Sequence, residues 1–203
     1  LADTLNWLTQ YVKRVGTPAD GIPNFQWFDQ LGGYYFSDQL PYQSGFNNRP
    51  DITATSPGGL LPVVPLLGGS NSFFALPYSL GGGSVARNAI NVPVTVGPGT
   101  QVVGAPAVSI TYQGLGTTRA VFAQVVDDST GRVLGNVVTP VPVTLDGRQH
   151  TLTMDLSDIV YTNASADSRT LTVQITSSAT AFENFTSFGL MNISDIGVTM
   201  PNR

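Results

Sequence analysis

The chain has 203 residues, of which 41% are hydrophobic and only 11% charged, with 22 glycines, 14 prolines, no cysteine and a formal charge of −4. That composition excludes disorder, which needs high charge and few apolar side chains, and it excludes disulfides and thiolate metal sites. With Lys13-Arg14 as the only basic run, clustered cations for neutralising phosphates are missing, so nucleic acid is excluded as a partner.

Leu1, Leu5, Leu8, Val12 and Val15 recur at steps of four and three, one face of a helix, and Gly16-Thr17-Pro18 ends it. Trp7 and Tyr11 widen the stripe beyond what a chain-initial helix needs, so an upstream portion is expected to pack on it. The first residue is leucine and no leader pattern precedes it, which points the same way. Residues 1–20 are thus expected to connect to an upstream catalytic domain, and 21–203 to form the domain proper. Two short aromatic strands, within 22–29 and 34–38, flank Gly32-Gly33. From about 41 to 88 the pattern dissolves into glycine, proline, serine and asparagine, which predicts one long irregular loop. The apolar run Leu60–Leu67 inside it is short and broken by proline, so no segment can span a bilayer as a helix.

Period-two segments then follow with turns between them: Val92–Val96, Ala107–Tyr112, Arg119–Val126, Val133-Leu134, Val141–Leu145, His150–Leu156, Thr170–Ser177 and Gly189–Met200. About eight short strands at this spacing make a mainly β fold, a jelly-roll sandwich with one N-terminal helix.

The chemistry a hydrolase needs is absent. The single histidine, His150, follows the Asp146-Gly147 turn and reads as an exposed strand residue; no Gly-x-Ser-x-Gly elbow occurs. Asp127-Asp128 are adjacent on an extended segment and point to opposite faces, so they read as turn formers rather than paired acids. Gly81-Gly82-Gly83 and Gly58-Gly59 lead into no helix and precede no lysine, so they cradle no phosphate. No catalytic residue, cofactor or metal is implied. Trp27, Tyr34 and Tyr35, with Phe28 and Phe36, concentrate in one hairpin and either fill a core or contact a ligand. Phe73 and Phe74 stand together in a glycine-serine stretch, where exposure is costly, and are expected to contact a neighbouring domain or wall its pocket.

Trp7-Leu8-Thr9-Gln10-Tyr11-Val12-Lys13, Ser37-Asp38-Gln39-Leu40-Pro41, Val103-Gly104-Ala105-Pro106-Ala107-Val108 and Phe122-Ala123-Gln124-Val125-Val126-Asp127 together resemble the C-terminal part of the X-Pro dipeptidyl peptidase and cocaine esterase (CocE/NonD) family of serine hydrolases. Tyr35 or Phe36 and Leu40 stand where tryptophans are common in that family. The resemblance implies a galactose-binding-like, non-catalytic jelly roll that packs on an α/β-hydrolase domain, in the same or a separate chain, and helps wall its active site. It implies that nucleophile, acid and histidine all lie upstream. The parent enzyme would act on peptides, esters or amides. A carbohydrate-binding module using the Trp27–Phe36 aromatics and a self-assembling jelly-roll coat protein are the alternatives, and the oligomeric state is left open. The low charge and scarce lysine point to a secreted or cell-envelope protein of a bacterium.

Overall fold

The computed structural model describes residues 2–13, 23–65, 67–70, 83–179, 182 and 185–203. The chain falls into two compact units, Leu1–Phe46 and Asn47–Arg203.

The first unit holds helix α1 (Ala2–Tyr11) and a hairpin of β1 (Phe25–Phe28) and β2 (Tyr34–Ser37), paired Trp27 to Tyr35 and Phe28 to Tyr34. Asp29 sets the turn as much as the expected glycines do. Its Oδ1 accepts the backbone N–H groups of Leu31 (2.9 Å) and Gly33 (2.7 Å), while Gly32 supplies the positive φ of 83°. Alternation then sorts the aromatics. Phe25, Trp27 and Tyr35 share one face, and Gln26, Phe28, Tyr34 and Phe36 share the other.

Among the described residues the second unit contains twelve strands: β3 (Ile52–Ser56), β4 (Gly59–Val63), β5 (Ala89–Val96), β6 (Gln101–Gly104), β7 (Ala107–Gly116), β8 (Ala120–Asp127), β9 (Arg132–Val133), β10 (Thr139–Pro142), β11 (Asp146–Asp155), β12 (Ile159–Thr162), β13 (Arg169–Thr176) and β14 (Gly189–Met200). Two antiparallel sheets run β3-β14-β7-β11 and β5-β13-β8-β10, and the chain passes between them along its length. That is the wiring of an eight-stranded jelly roll. β4 pairs with the other end of β14, β9 adds to β8, and β6 with β12 makes a separate ribbon.

The core between the sheets is aliphatic. Val92, Val94 and Val96 of β5, Leu171, Val173 and Ile175 of β13, and Val121, Ala123 and Val125 of β8 face Ile110, Met191, Ile193, Ile196, Val198 and Met200. Each such side chain contributes about 1.5–3 kcal/mol when fully buried. Along β14 the buried positions switch parity, from Met191 and Ile193 to Ile196, Val198 and Met200. The cause is a bulge: Ile193 pairs with Tyr112 and Asp195 with Thr111, leaving Ser194 as the extra residue.

Three expectations need correction. The irregular stretch expected over 41–88 contains β3 and β4, both laddered onto β14. Pro57-Gly58 between them and Pro62 within β4 hid the strands, yet proline is tolerated on an edge, where one side of the backbone has no partner. β6 and β12 are further strands, each only four residues long and too short for a periodic signal. His150 is half-buried rather than exposed, because it shares the inward face of β11 with Leu152 and Met154 and its ring lies against Tyr112 at 5.6 Å. Among the described residues, no helix is long and apolar enough to cross a membrane.

Candidate functional site

The residues with chemistry to offer are used structurally. His150 Nε2 lies 2.8 Å from Asp146 Oδ1, which also accepts the N–H of Arg148 at 2.9 Å. The His150 and Arg148 hydrogen bonds hold the exposed Asp146 carboxyl below its ordinary range. The pair straddles the register shift between Asp146 and Gln149 and closes that turn.

Asp127 and Asp128 diverge, as adjacent residues on a strand must. The Asp127 carboxylate is buried; Oδ1 accepts the Ser129 N–H (3.0 Å) and hydroxyl (2.7 Å), and Oδ2 accepts the Thr130 hydroxyl (2.9 Å). Asp128 Oδ2 accepts the Thr172 hydroxyl at 2.9 Å on the neighbouring strand. Two carboxylates tied to different partners cannot flank one scissile bond. Asp127→Ala is expected to cost about 1–2 kcal/mol, since three hydrogen bonds vanish from a buried turn, and the urea midpoint would register it. An unchanged midpoint would show that the turn stands without its aspartate. Among the described residues, no three histidine, aspartate or glutamate side chains gather into a metal-binding group.

Three Asn-x-Ser/Thr sequences occur, at Asn163, Asn184 and Asn192. Asn163 is buried, and its amide donates to the carbonyls of Val96, Gly97 and Asp167, so it organises a loop and has no room for a glycan. Asn192 is exposed on β14, and Asn184 lies outside the described residues.

The hairpin aromatics separate by face. Trp27 is buried, stacked between Phe25 (5.1 Å) and Tyr35 (5.8 Å) with Phe46 tilted against it (5.7 Å). Tyr35 is half-buried, and its hydroxyl donates to Asp29 Oδ2 at 3.2 Å. Tyr34 is exposed and bridges Phe28 (5.2 Å) and Phe36 (6.2 Å), which are exposed too, with its hydroxyl donating to Gln26. Trp27 and Tyr35 therefore fill a small core, and Tyr34 belongs to an exposed aromatic surface with Phe28 and Phe36, the rings tilted to one another by 44° and 37°. A sugar platform on this hairpin would have to use that surface, not Trp27. Sequence reasoning did not single out Phe28, Tyr34 and Phe36 as one surface; the alternation in Tyr34-Tyr35-Phe36 puts Tyr34 and Phe36 together, and the strand register adds Phe28. Helix α1 likewise leaves Leu5, Trp7 and Leu8 exposed, and Val12 just past its end is exposed too. Phe73 and Phe74 lie outside the described residues.

The fold of this chain has counterparts among solved structures. An aminopeptidase from the marine sediment archaeon Thaumarchaeota archaeon matches 98% of this chain with a TM-score of 0.61 at 10% identity. The fold recurs inside larger hydrolases. An α-amino acid ester hydrolase (TM-score 0.55, 14% identity) and a CocE/NonD family hydrolase from Staphylococcus aureus (TM-score 0.52, 10% identity) each match 98% of the chain as well. The chain spans less than half of each: 43%, 44% and 45% of the aminopeptidase, the ester hydrolase and the CocE/NonD hydrolase. At these identities the likeness is one of fold. No family model matches the sequence, and no curated protein matches it.

Proposed function

We propose that this chain is the non-catalytic, galactose-binding-like domain of a larger serine hydrolase of the CocE/NonD type, packing on an α/β-hydrolase catalytic domain and helping to wall its active site. The observation that carries this reading is the coverage. The fold likeness takes in 98% of this chain but only 43–45% of three hydrolase chains. The exposed apolar surfaces of the first unit support it. Leu5, Leu8 and Val12 form a stripe at helical spacing, and Phe28, Leu31 and Phe36 stand out from the hairpin, more apolar side chain than so small a unit leaves unburied without a partner. The parent enzyme would cleave an ester or amide, X-Pro peptides among them, through a serine nucleophile and histidine base supplied by the catalytic domain. We place it, with its domain, among secreted or cell-envelope proteins of bacteria.

The test is intact mass and N-terminal sequencing of the natively produced protein, beside hydrolysis of p-nitrophenyl butyrate. A longer polypeptide that turns the ester over, with the 203-residue chain inert, is the expected result. A native chain that starts at Leu1 and copurifies with no hydrolase would overturn the reading.

A further inference from the structure

A separate cleft of about 180 Å³ opens on the outer face of the β5-β13-β8-β10 sheet. Its apolar floor is Phe122, whose neighbours Val121 and Ala123 point the other way into the core, and Pro140 beside it in the β8–β10 register. Phe182 stacks on Phe122 with ring centroids 5.6 Å apart and planes 18° from parallel. Arg119, Thr118, Ser177, Ser178 and Ser187 are its polar lining residues. The Arg119 carbonyl accepts the Val143 N–H at 3.0 Å, which fixes the backbone from which its exposed side chain projects. No acidic side chain is among the described residues lining the cleft. Phe182 is itself exposed, so its ring presents an apolar face at the rim.

Arg119 is the one charged residue among the described residues lining the cleft, and beside the rings, prolines, alanines and hydroxyls of the rest it selects for charge and shape together. Arginine pairs with a carboxylate through two parallel hydrogen bonds, whereas the phenyl rings gain only from an apolar body laid against them. The volume admits a fragment of roughly ten heavy atoms and excludes oligosaccharides or folded peptides. We propose that this cleft binds a small organic carboxylate bearing an aromatic or branched apolar group, with Arg119 holding the carboxylate and Phe122 and Phe182 taking the apolar group. The assignment needs only this chain and stands apart from the hydrolase reading.

The test is titration of the ¹⁵N-labelled 203-residue chain with phenylacetate, followed by amide shifts. Saturable shifts centred on Arg119, Ala120 and Ser187 are expected, with Kd about 1 mM for so small a ligand. Arg119→Gln should weaken binding about tenfold, and phenylacetamide, which keeps the shape and loses the charge, should bind about tenfold more weakly to the unaltered protein. Phe182→Ala should weaken phenylacetate about fivefold. Both substituted side chains are exposed, and unchanged spectral dispersion verifies the fold. Equal binding of phenylacetamide and phenylacetate, an Arg119→Gln protein that binds as before, or no saturable shift at these amides up to about 20 mM would each overturn the assignment.

Discussion

Gly58→Ala is expected to destabilise the jelly roll by about 3 kcal/mol, lowering the melting temperature by about 6–12 °C for a domain of this size. Gly58 sits between β3 and β4, at φ 76°, opposite the bulge in β14. A methyl group there would fall on the Ile193 carbonyl oxygen, a backbone atom held by the ladder and unable to swing aside. Relief would require moving the junction off β14, where Ile193 pairs with Gly59 and Ile196 with Ser56, and that would disturb the seats of Leu61 and Val63 in the core. Two costs are mixed in this number: the left-handed backbone, about 1 kcal/mol for alanine, and the steric conflict, about 2. Gly131→Ala separates them. Gly131 has φ 65° with nothing within 4 Å of an added methyl, so only the backbone cost applies. Urea unfolding of both variants should therefore give a loss roughly three times larger at Gly58. Equal losses would mean the β3–β4 junction yields cheaply and the split edge strand is not pinned by the bulge.

How far the sequence reveals this architecture depends on what each strand has on its two faces. β5 buries every second residue, Ile90, Val92, Val94 and Val96, so Asn91-Val92-Pro93-Val94-Thr95 reads as a half-buried strand even with a proline in it. Pro93 fits because β5 pairs only with β13 and lies at the sheet edge. The same chemistry concealed β4, where Pro62 and two flanking glycines look like a loop until β14 is known to be its partner. The parity switch in β14 was also illegible, since Ile193-Ser194-Asp195-Ile196 breaks alternation and only the pairing with Tyr112 and Thr111 explains why both isoleucines are buried. β8 is legible for the opposite reason: Val121–Val126 is nearly continuous in apolar side chains because both of its faces are covered.

The site-level reading divides along similar lines. Asp127 as a turn former followed from local hydrogen bonding, a property of the dipeptide and its neighbours. Trp27 against Tyr34 could not be sorted before the register was known, because a one-residue slip exchanges the two faces of a hairpin. Arg119 and Phe182 are 63 positions apart in the sequence. Their juxtaposition depends on β8 beginning beside the segment after β13, which no local pattern announces.

Gln174→Leu is expected to cost about 3–4 kcal/mol, with a larger effect on one loop than on the sheet that carries it. Gln124 and Gln174 are cross-strand partners on the outer face of β8 and β13, both buried. Gln174 Oε1 accepts from the Ala86 N–H (2.9 Å) and from Gln124 Nε2 (2.8 Å); Gln174 Nε2 donates to the Ala86 carbonyl (3.2 Å) and Asn91 Oδ1 (2.9 Å). Gln124 Nε2 also donates to the Ser84 carbonyl (2.7 Å), and its Oε1 accepts the Ser70 hydroxyl. The Ser84 N–H in turn reaches Ser70 Oγ at 3.3 Å, so Ser70 and Ser84, before and after residues 71–82, meet over this pair. Leucine matches glutamine in size but leaves the Ala86 amide and carbonyl without their side-chain partners, and a buried group stripped of its bond costs about 1–3 kcal/mol. The consequences are specific. Exchange of the Ala86 amide hydrogen should accelerate well beyond that of Val173 or Ile175 on the same sheet, because the loop can open without the strands separating. Gln124→Leu with Gln174→Leu should cost at least about 1 kcal/mol less than the sum of the single changes, since each single variant orphans groups on the other side chain. An additive pair, or an Ala86 amide that keeps its protection in Gln174→Leu, would show that the loop is held by packing against the sheet and that the glutamine pair is incidental to it.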